Sequence, residues 1–323
     1  MEHQEIDAPV LMELARFTPP TRTPWGGHRI RALKGLPPGD VVGESWELSI
    51  EPDFPSRLDD GRALADHFGD TALLVKLLDA AAPLSVQIHP ADDDPSLAPG
   101  EGGKPETWYV IAREPGAGIH LGLAEGADEA AMRACLAEGG DLSRRLAFVP
   151  VEPGDFFVIE AGTPHAIGAG VFLVEPQRVT PGKRGLTYRY WDWNRTYDAQ
   201  GRADPRGAPR ALHVERALAV TRWDAPRGAA LLARVRVRAG APDLDGPARW
   251  TELASAPPVG VARLAGTGAH ALAPAATLRA LTVLEGDVRV GALRVGPGRT
   301  AAIPPGWRGD AHLRRAHGIV SSA

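Results

Sequence analysis

The chain has 323 residues, 44% of them hydrophobic and 24% charged, the balance of a globular protein too long for one typical core. A formal charge of −4 gives no electrostatic basis for binding nucleic acid or an anionic membrane. No apolar run reaches the roughly 18 residues of a spanning helix, and a lone cysteine, Cys135, excludes an intrachain disulfide framework.

The segment from Met1 to Asp7 is polar and acidic and lacks the cationic and apolar regions of a secretory signal, so a cytoplasmic location is expected. Pro19-Pro20 and Thr23-Pro24-Trp25-Gly26-Gly27 punctuate short extended pieces, and Glu44 to Ile50 reads as a strand. From Arg62 to Ala82, Leu64, His67, Phe68, Leu73, Leu74, Leu77 and Leu78 recur at three and four, which predicts helix. In Leu84-Ser85-Val86-Gln87-Ile88-His89-Pro90, alternation puts Gln87 and His89 on one face of a strand. A loop rich in Asp, Pro and Gly follows, and Glu106 opens the next strand with Trp108-Tyr109-Val110-Ile111. Asp128 to Leu136 has an acidic first turn and a Gly139-Gly140 stop, the strongest local helix signal in the chain. Leu142 to Leu146 is read as a second short helix. Val151 to Phe172 reads as paired strands with Pro-Gly turns. Residues 194–230 are loop-like apart from a short helix from His213 to Val220. Strand-like runs resume at Leu231 to Val237, Val259 to Leu264, Leu278 to Leu284, Val288 to Val290 and Thr300 to Ile303.

Val151-Glu152-Pro153-Gly154, four residues, Ile159, two residues, Gly162 is echoed by Val295-Gly296-Pro297-Gly298, four residues, Ile303, two residues, Gly306, an offset of 144. Upstream, Val86 matches Val259 and Val110-Ile111 matches Val283-Leu284, an offset of 173. A helical insertion near 124–147 accounts for the difference. Two copies of one β module are therefore expected. In that register Gly260, Ala262, Arg279 and Gly309 stand opposite Gln87, His89, Glu106 and His165. The second copy keeps none of these side-chain types.

Gln87, His89 and Glu106 on neighbouring strands can converge on one point, as metal ligands must. His165 is the fourth candidate, presented after a tight bend in Ala161-Gly162-Thr163-Pro164-His165. Taken singly, each is more often a satisfied buried polar group; their joint spacing favours a site. The other eight histidines, including His120 and His213, are assigned solvated or structural roles.

Pro153-Gly154-Asp155, a strand, then Gly162-Thr163-Pro164-His165-Ala166-Ile167 resembles the second conserved motif of cupins, which are small jelly-roll barrels. Ser85-Val86-Gln87-Ile88-His89-Pro90, Gly103-Lys104-Pro105-Glu106-Thr107-Trp108-Tyr109 and Gly162 to Gly170 together resemble type I mannose-6-phosphate isomerases. Trp25-Gly26-Gly27, Gly43-Glu44-Ser45-Trp46, Lys76 to Ala80 and Thr187-Tyr188-Arg189-Tyr190-Trp191-Asp192-Trp193 extend the likeness over roughly residues 17–220. The resemblance implies a mainly β fold of two cupin-like jelly-roll barrels, with a small helical insertion in the first. It implies a metal-binding catalytic domain over 1–225 and a degenerate second domain over 226–323.

It further implies one zinc held by Gln87, His89, Glu106 and His165; the N/O donor set also suits Mn²⁺, Co²⁺ or Fe²⁺. The implied reaction interconverts mannose 6-phosphate and fructose 6-phosphate through a cis-enediolate. Glu175 matches a family carboxylate considered as the base, and Arg189 matches the active-site arginine that steadies enediolate or phosphate. Lys104, two residues from Glu106, is expected to share its face and add positive charge. The interval from Glu175 to Arg189 is fourteen residues, against ten in near relatives. The extra Pro-Gly-Lys-Arg makes Lys183 a candidate substrate contact, although a basic Pro-Gly tip more often forms an exposed turn. The expected partner is a small sugar phosphate bound by a monomer or homodimer. An iron-dependent cupin oxygenase and a non-catalytic sugar-phosphate-sensing cupin are the alternatives.

Overall fold

The computed structural model describes residues 6–323, and among them the architecture is mainly β, built from several antiparallel sheets. Three large sheets lie in layers. The middle sheet runs Arg236–Arg238, Asp155–Ile159, Glu106–Arg113, Val171–Arg178, Leu73–Asp79, Glu44–Leu48. On one side of it lies the sheet Tyr188–Trp191, Val86–Ile88, His165–Ile167, Gly118–Leu123, Leu146–Pro150. On the other side lies a C-terminal sheet ordered Val10–Leu11, Thr300–Ile303, Arg279–Val290, Gly309–Ser322, Gly260–Leu272, Arg249–Ala254.

Alternation decides which layer each side chain serves. On strand 106–113, Trp108 and Val110 pack with Ile119, Leu121 and Ile167 of the first flanking sheet. Tyr109, one residue out of phase, packs with Val261, Ala280, Ala302 and Ile319 of the C-terminal sheet. Glu106 has the parity of Trp108 and therefore faces the first gap. Glu175 and Gln177 share the parity of Leu173, which packs in that same gap.

The duplication expected from the sequence is visible as a repeated ladder. Glu106 pairs with Ile159 and Tyr109 with Phe156; Arg279 pairs with Ile303 and Thr282 with Thr300. Gln177 pairs with Glu106, and Ser322 with Arg279. The 173 and 144 offsets thus join strands in identical register. The upstream match of Val86 with Val259 does not hold. Strand 260–272 runs the whole length of 309–322, so its start, Gly260 beside Ser322, answers to strand 73–79, where Leu74 lies beside Gln177, and only its end reaches the position of 86–88. Gly260 and Ala262 are therefore not opposite Gln87 and His89. Where His165 pairs with Gln87, the C-terminal sheet has Gly309 paired with Leu272. The lack of metal-ligand types at these rungs stands, on different residues.

Four further expectations change. Leu73–Asp79 is a strand, buried throughout: with apolar layers on both faces it loses alternation and its leucines mimic helical spacing. Of the preceding stretch only Ala65–Phe68 is helical. Leu231 to Val235 lies in a helix, Gly228–Val235, that buries Leu231 and Val235. The strands between 151 and 178 do not pair with one another, because 106–113 lies between 155–159 and 171–178, while 165–167 joins the flanking sheet. Leu278 to Val290 forms one strand from Arg279, and the longest strand, Gly309–Ser322, was not anticipated. By contrast, Glu129–Ala137 is helical, capped by Asp128 Oδ1 accepting from Ala131 N at 2.8 Å. The segment Leu142–Arg145 is a 3₁₀ turn, and Val214–Ala219 is a short helix.

A buried ion pair ties the middle sheet to the C-terminal one. Lys34 Nζ lies 2.8 Å from Glu47 Oε1, with both side chains almost fully buried. Lys34 also donates to Gly298 O at 2.8 Å, and Glu47 accepts from Thr300 Oγ1 at 3.0 Å. Strands 10–11 and 236–238 each join the sheet formed mainly by the other half of the chain.

Candidate active site

Three of the four expected ligands meet in the gap between the middle sheet and its flanking sheet. His89, Glu106 and His165 are all buried, and one ligand atom from each lies within 4.8 Å of the others. Glu106 opens strand 106–113; His165 opens strand 165–167; His89 directly follows strand 86–88. Gln87 pairs across the ladder with His165 and lines the adjoining cavity. The bend before His165 depends on Gly162, whose φ is +74°. A Cβ there would come within 2.8 Å of Val220 O, and its N–H donates to His89 O at 2.9 Å.

Hydrogen bonds on the far side of each ring orient the imidazoles. His89 Nδ1 is 2.9 Å from Leu186 O, and His165 Nδ1 is 2.8 Å from Thr163 O. A carbonyl accepts only, so each Nδ1 carries the proton and each neutral ring turns its Nε2 lone pair inward. Those Nε2 atoms are 3.1 and 3.2 Å from the two Glu106 oxygens. Both Nε2 atoms and Glu106 Oε1 are buried without a hydrogen-bond donor. Burial first, then the neighbouring Lys104 charge, pulls His89 down to about 4 against the opposing pull of Glu106. Burial would raise Glu106, but imidazoles that carry a second proton on Nε2 outweigh it through charge and hydrogen bonding and hold its carboxyl well below the usual range. Inward lone pairs around an ionised carboxylate repel unless a cation sits among them. The donor set fits a divalent metal of the borderline-hard class.

Above the cluster opens a cavity of about 420 Å³, with Gln87, Lys104, Glu175, Arg184, Arg189 and His213 in its walls. Lys104 Nζ is 3.9 Å from Glu106 Oε2, and burial, with Lys76 nearby, draws its ammonium below the ordinary range. Glu175 stands across the ladder from Lys76, whose Nζ is 3.4 Å from Oε2, while Trp108 Nε1 donates to Oε1 at 3.0 Å. Burial and the Glu106 charge push Glu175 up to about 7, with Lys76 and Lys104 opposing. Lys76 itself is kept charged, since Glu44 and Glu175 outweigh its burial. Arg189 donates from Nε to Ser85 Oγ at 3.2 Å and from Nη1 to Ala211 O at 2.8 Å. None of these partners neutralises its charge.

Lys183 stands apart. It lines a smaller depression with Leu74, Thr180 and Pro181, and its neighbour Arg184 faces the main cavity instead. The long loop is more than an exposed tip: Arg184–Gly185 pairs in parallel with Glu101–Gly102, and Leu186 then supplies the carbonyl that orients His89. His213, assigned a solvated or structural role from sequence, lines the cavity and accepts the Arg189 N–H at Nδ1, 3.1 Å. Sequence reasoning also missed Lys76, Arg210 and Gln177. Gln177 donates from Nε2 to Glu106 Oε2 at 2.6 Å, and its spacing of two from Glu175 on a strand was the available signal. Arg210, held by Asp192 at 2.7 Å, comes from a loop with no such signal.

No family model matches the chain. It is 36% identical over 222 residues to a mannose-6-phosphate isomerase from Streptococcus mutans, covering 64% of this chain and 66% of that protein. A mannose-6-phosphate isomerase from Bacillus subtilis is 32% identical over 213 residues, covering 61% of this chain and 64% of that one. The alignments thus span just under two thirds of these relatives' own length. Among solved structures, the mannose 6-phosphate isomerase of Bacillus subtilis matches with a TM-score of 0.74 at 23% identity, covering 98% of this chain and 100% of that one. The enzyme from Salmonella typhimurium, bound to fructose 6-phosphate and zinc, matches with a TM-score of 0.65 at 16% identity, covering 98% and 100%. At these identities the structural likeness is one of fold.

Proposed function

We propose that this chain, a relative of the mannose-6-phosphate isomerases in sequence and fold, is a zinc-dependent aldose–ketose isomerase interconverting mannose 6-phosphate and fructose 6-phosphate. The observation that carries the reading is the cluster of two inward Nε2 lone pairs and an ionised Glu106. It lies beside a cavity that also holds a carboxylate raised to about 7.

His89, Glu106 and His165, with Gln87, are the residues that hold the metal, which when bound supplies Lewis acidity and a template for sugar hydroxyls. Isomerisation moves a proton between C2 and C1 of the open-chain sugar through a cis-enediolate. That step needs a base that is ionised near neutral pH yet holds a proton well enough to return it, and a carboxyl raised by burial above the ordinary range meets both needs. Glu175 takes the proton from one carbon and delivers it to the other. Lys104 and Arg189 supply positive charge for the developing oxyanion and the phosphate, and Arg184 extends that charge along the cavity wall. Lys183 is retained as a substrate contact only through movement of its loop.

The paired sheets support a reading as two cupin-like jelly-roll units, 1–225 and 226–323, that exchange strands 10–11 and 236–238. Sugar phosphates are cytoplasmic metabolites, and the cytoplasm is the compartment this reading implies. Among the described residues no helix is long and apolar enough to cross a membrane.

A coupled assay tests the function. Zinc-loaded protein is expected to convert fructose 6-phosphate to mannose 6-phosphate, a chelator to abolish turnover, and Glu106→Ala to lose both metal and activity. Metal-loaded protein that turns over neither sugar phosphate would sink the assignment.

A further inference from the structure

We propose that Gln177 is a positioning residue that fixes the Glu106 carboxylate for metal binding, an inference that rests on the metal-site reading above. Gln177 is fully buried, and its Nε2 lies 2.6 Å from Glu106 Oε2. With both Nδ1 protons committed to backbone carbonyls, neither imidazole has an N–H left for Glu106 while neutral. The Gln177 amide is then the one short hydrogen bond that Glu106 receives among the described residues. Lys104, at 3.9 Å, contributes charge without a hydrogen bond.

Geometry gives this bond its consequence. Glu106 and Gln177 occupy one rung of the ladder between strands 106–113 and 171–178, so backbone pairing sets their separation. A carboxylate on a strand can still rotate about its last bond, which is soft. Fastening Oε2 stops that rotation and holds Oε1 toward His165, 3.2 Å away. The donor is neutral, so it orients the carboxylate without cancelling the charge a cation needs. A hydrogen bond of this kind to a ligating carboxylate typically accounts for 10–100-fold in metal affinity.

The duplicated sheet provides an internal comparison. At the same rung it carries Arg279 and Ser322, so carboxylate and amide are absent together where no ligand cluster exists. Gln177 Oε1 is buried without a partner. Burying an amide with one half unsatisfied costs stability, so packing alone would favour an apolar residue of the same size.

The experiment measures zinc affinity of the full chain by competition with a chelator of known strength, with unfolding of the metal-free protein in urea as the second readout. Gln177→Met keeps length and volume but removes the donor, and Gln177→Leu is the second variant should the first not fold. The expected result is a 10–100-fold weaker zinc affinity, beyond whatever metal-free stability is lost by leaving the Glu106 carboxylate without its hydrogen bond. A folded variant that binds zinc within twofold of wild type overturns this proposal alone. A variant whose metal-free form loses stability while its zinc affinity is unchanged also overturns it, since Gln177 would then be structural. A wild-type protein that binds no zinc overturns both this proposal and the metal-site reading.

Discussion

Glu175→Gln distinguishes a proton-transferring carboxylate from a structural one. Glu175 is 3% exposed, and burial with the Glu106 charge lifts it from 4.5 to about 7. A carboxyl so raised binds its proton more tightly in the folded than in the unfolded chain. Its contribution to stability is complete below pH 4.5 and is lost as pH rises through about 7. At ~1.36 kcal/mol per pH unit, the difference amounts to about 3 kcal/mol. Urea unfolding of metal-free protein reads this directly. Between acid and mildly alkaline pH, wild type is expected to lose up to about 3 kcal/mol relative to Glu175→Gln, groups remote from Glu175 cancelling in the comparison. In the zinc-loaded enzyme a cation on Glu106 offsets that carboxylate's repulsion, so the acid limb of kcat lies below pH 7. If Glu175 is the base, Glu175→Gln lowers kcat by about 10²–10⁴ with KM changed little, and its residual rate lacks the acid limb. A variant within tenfold of wild-type kcat at saturating substrate would refute the role. A stability difference that does not vary with pH would refute the raised carboxyl.

Three other outcomes are expected. Lys34→Met leaves the Glu47 carboxylate buried without its cation and should cost about 3–5 kcal/mol in urea unfolding. Adding Glu47→Leu should recover most of that loss, and a double variant no better than the single would contradict the account. Arg189→Ala should raise KM for the sugar phosphate at least about tenfold and flatten its dependence on salt; an unchanged KM removes Arg189 from phosphate binding. Gly162→Ala forces a side chain to φ +74° and into Val220 O, at about 1–3 kcal/mol. It should also weaken zinc binding, because that turn presents His165, and a titration showing wild-type affinity would count against the coupling.

The candidate cluster of His89, Glu106 and His165 was legible because it sits on strand-like segments where local pattern and final geometry agree. Gln87 and His89 lie two apart around a three-residue strand, and Glu106 begins a strand whose alternation is clean. His165 follows a Gly-dependent turn that short-range chemistry defines. The repeat was legible for a similar reason, since Pro-Gly turns flank strands 155–159 and 300–303 in the same way. The match of Val86 with Val259 failed because a single valine cannot set register; sheet neighbours can, and they align the start of 260–272 with 73–79 and its end with 86–88. Strand 73–79 was misread as helix because burial on both faces erases the period-two signal. The helix at 228–235 was misread because its short apolar run carries too few turns to show a period.

From sequence alone follow the candidate ligand types, their attachment to β segments and the likeness to one isomerase family, since each depends on residues close together in the chain. Only the tertiary structure decides which ring nitrogens face inward, because the orienting carbonyl for His89 belongs to Leu186, 97 residues away. It alone raises Glu175, through burial and the approach of Glu106 from another strand. It alone sets Gln177 against Glu106, 71 residues apart. Proton affinity and ligand orientation depend on charges and dielectric within a few ångströms, and those neighbours come from chain segments brought together only by folding.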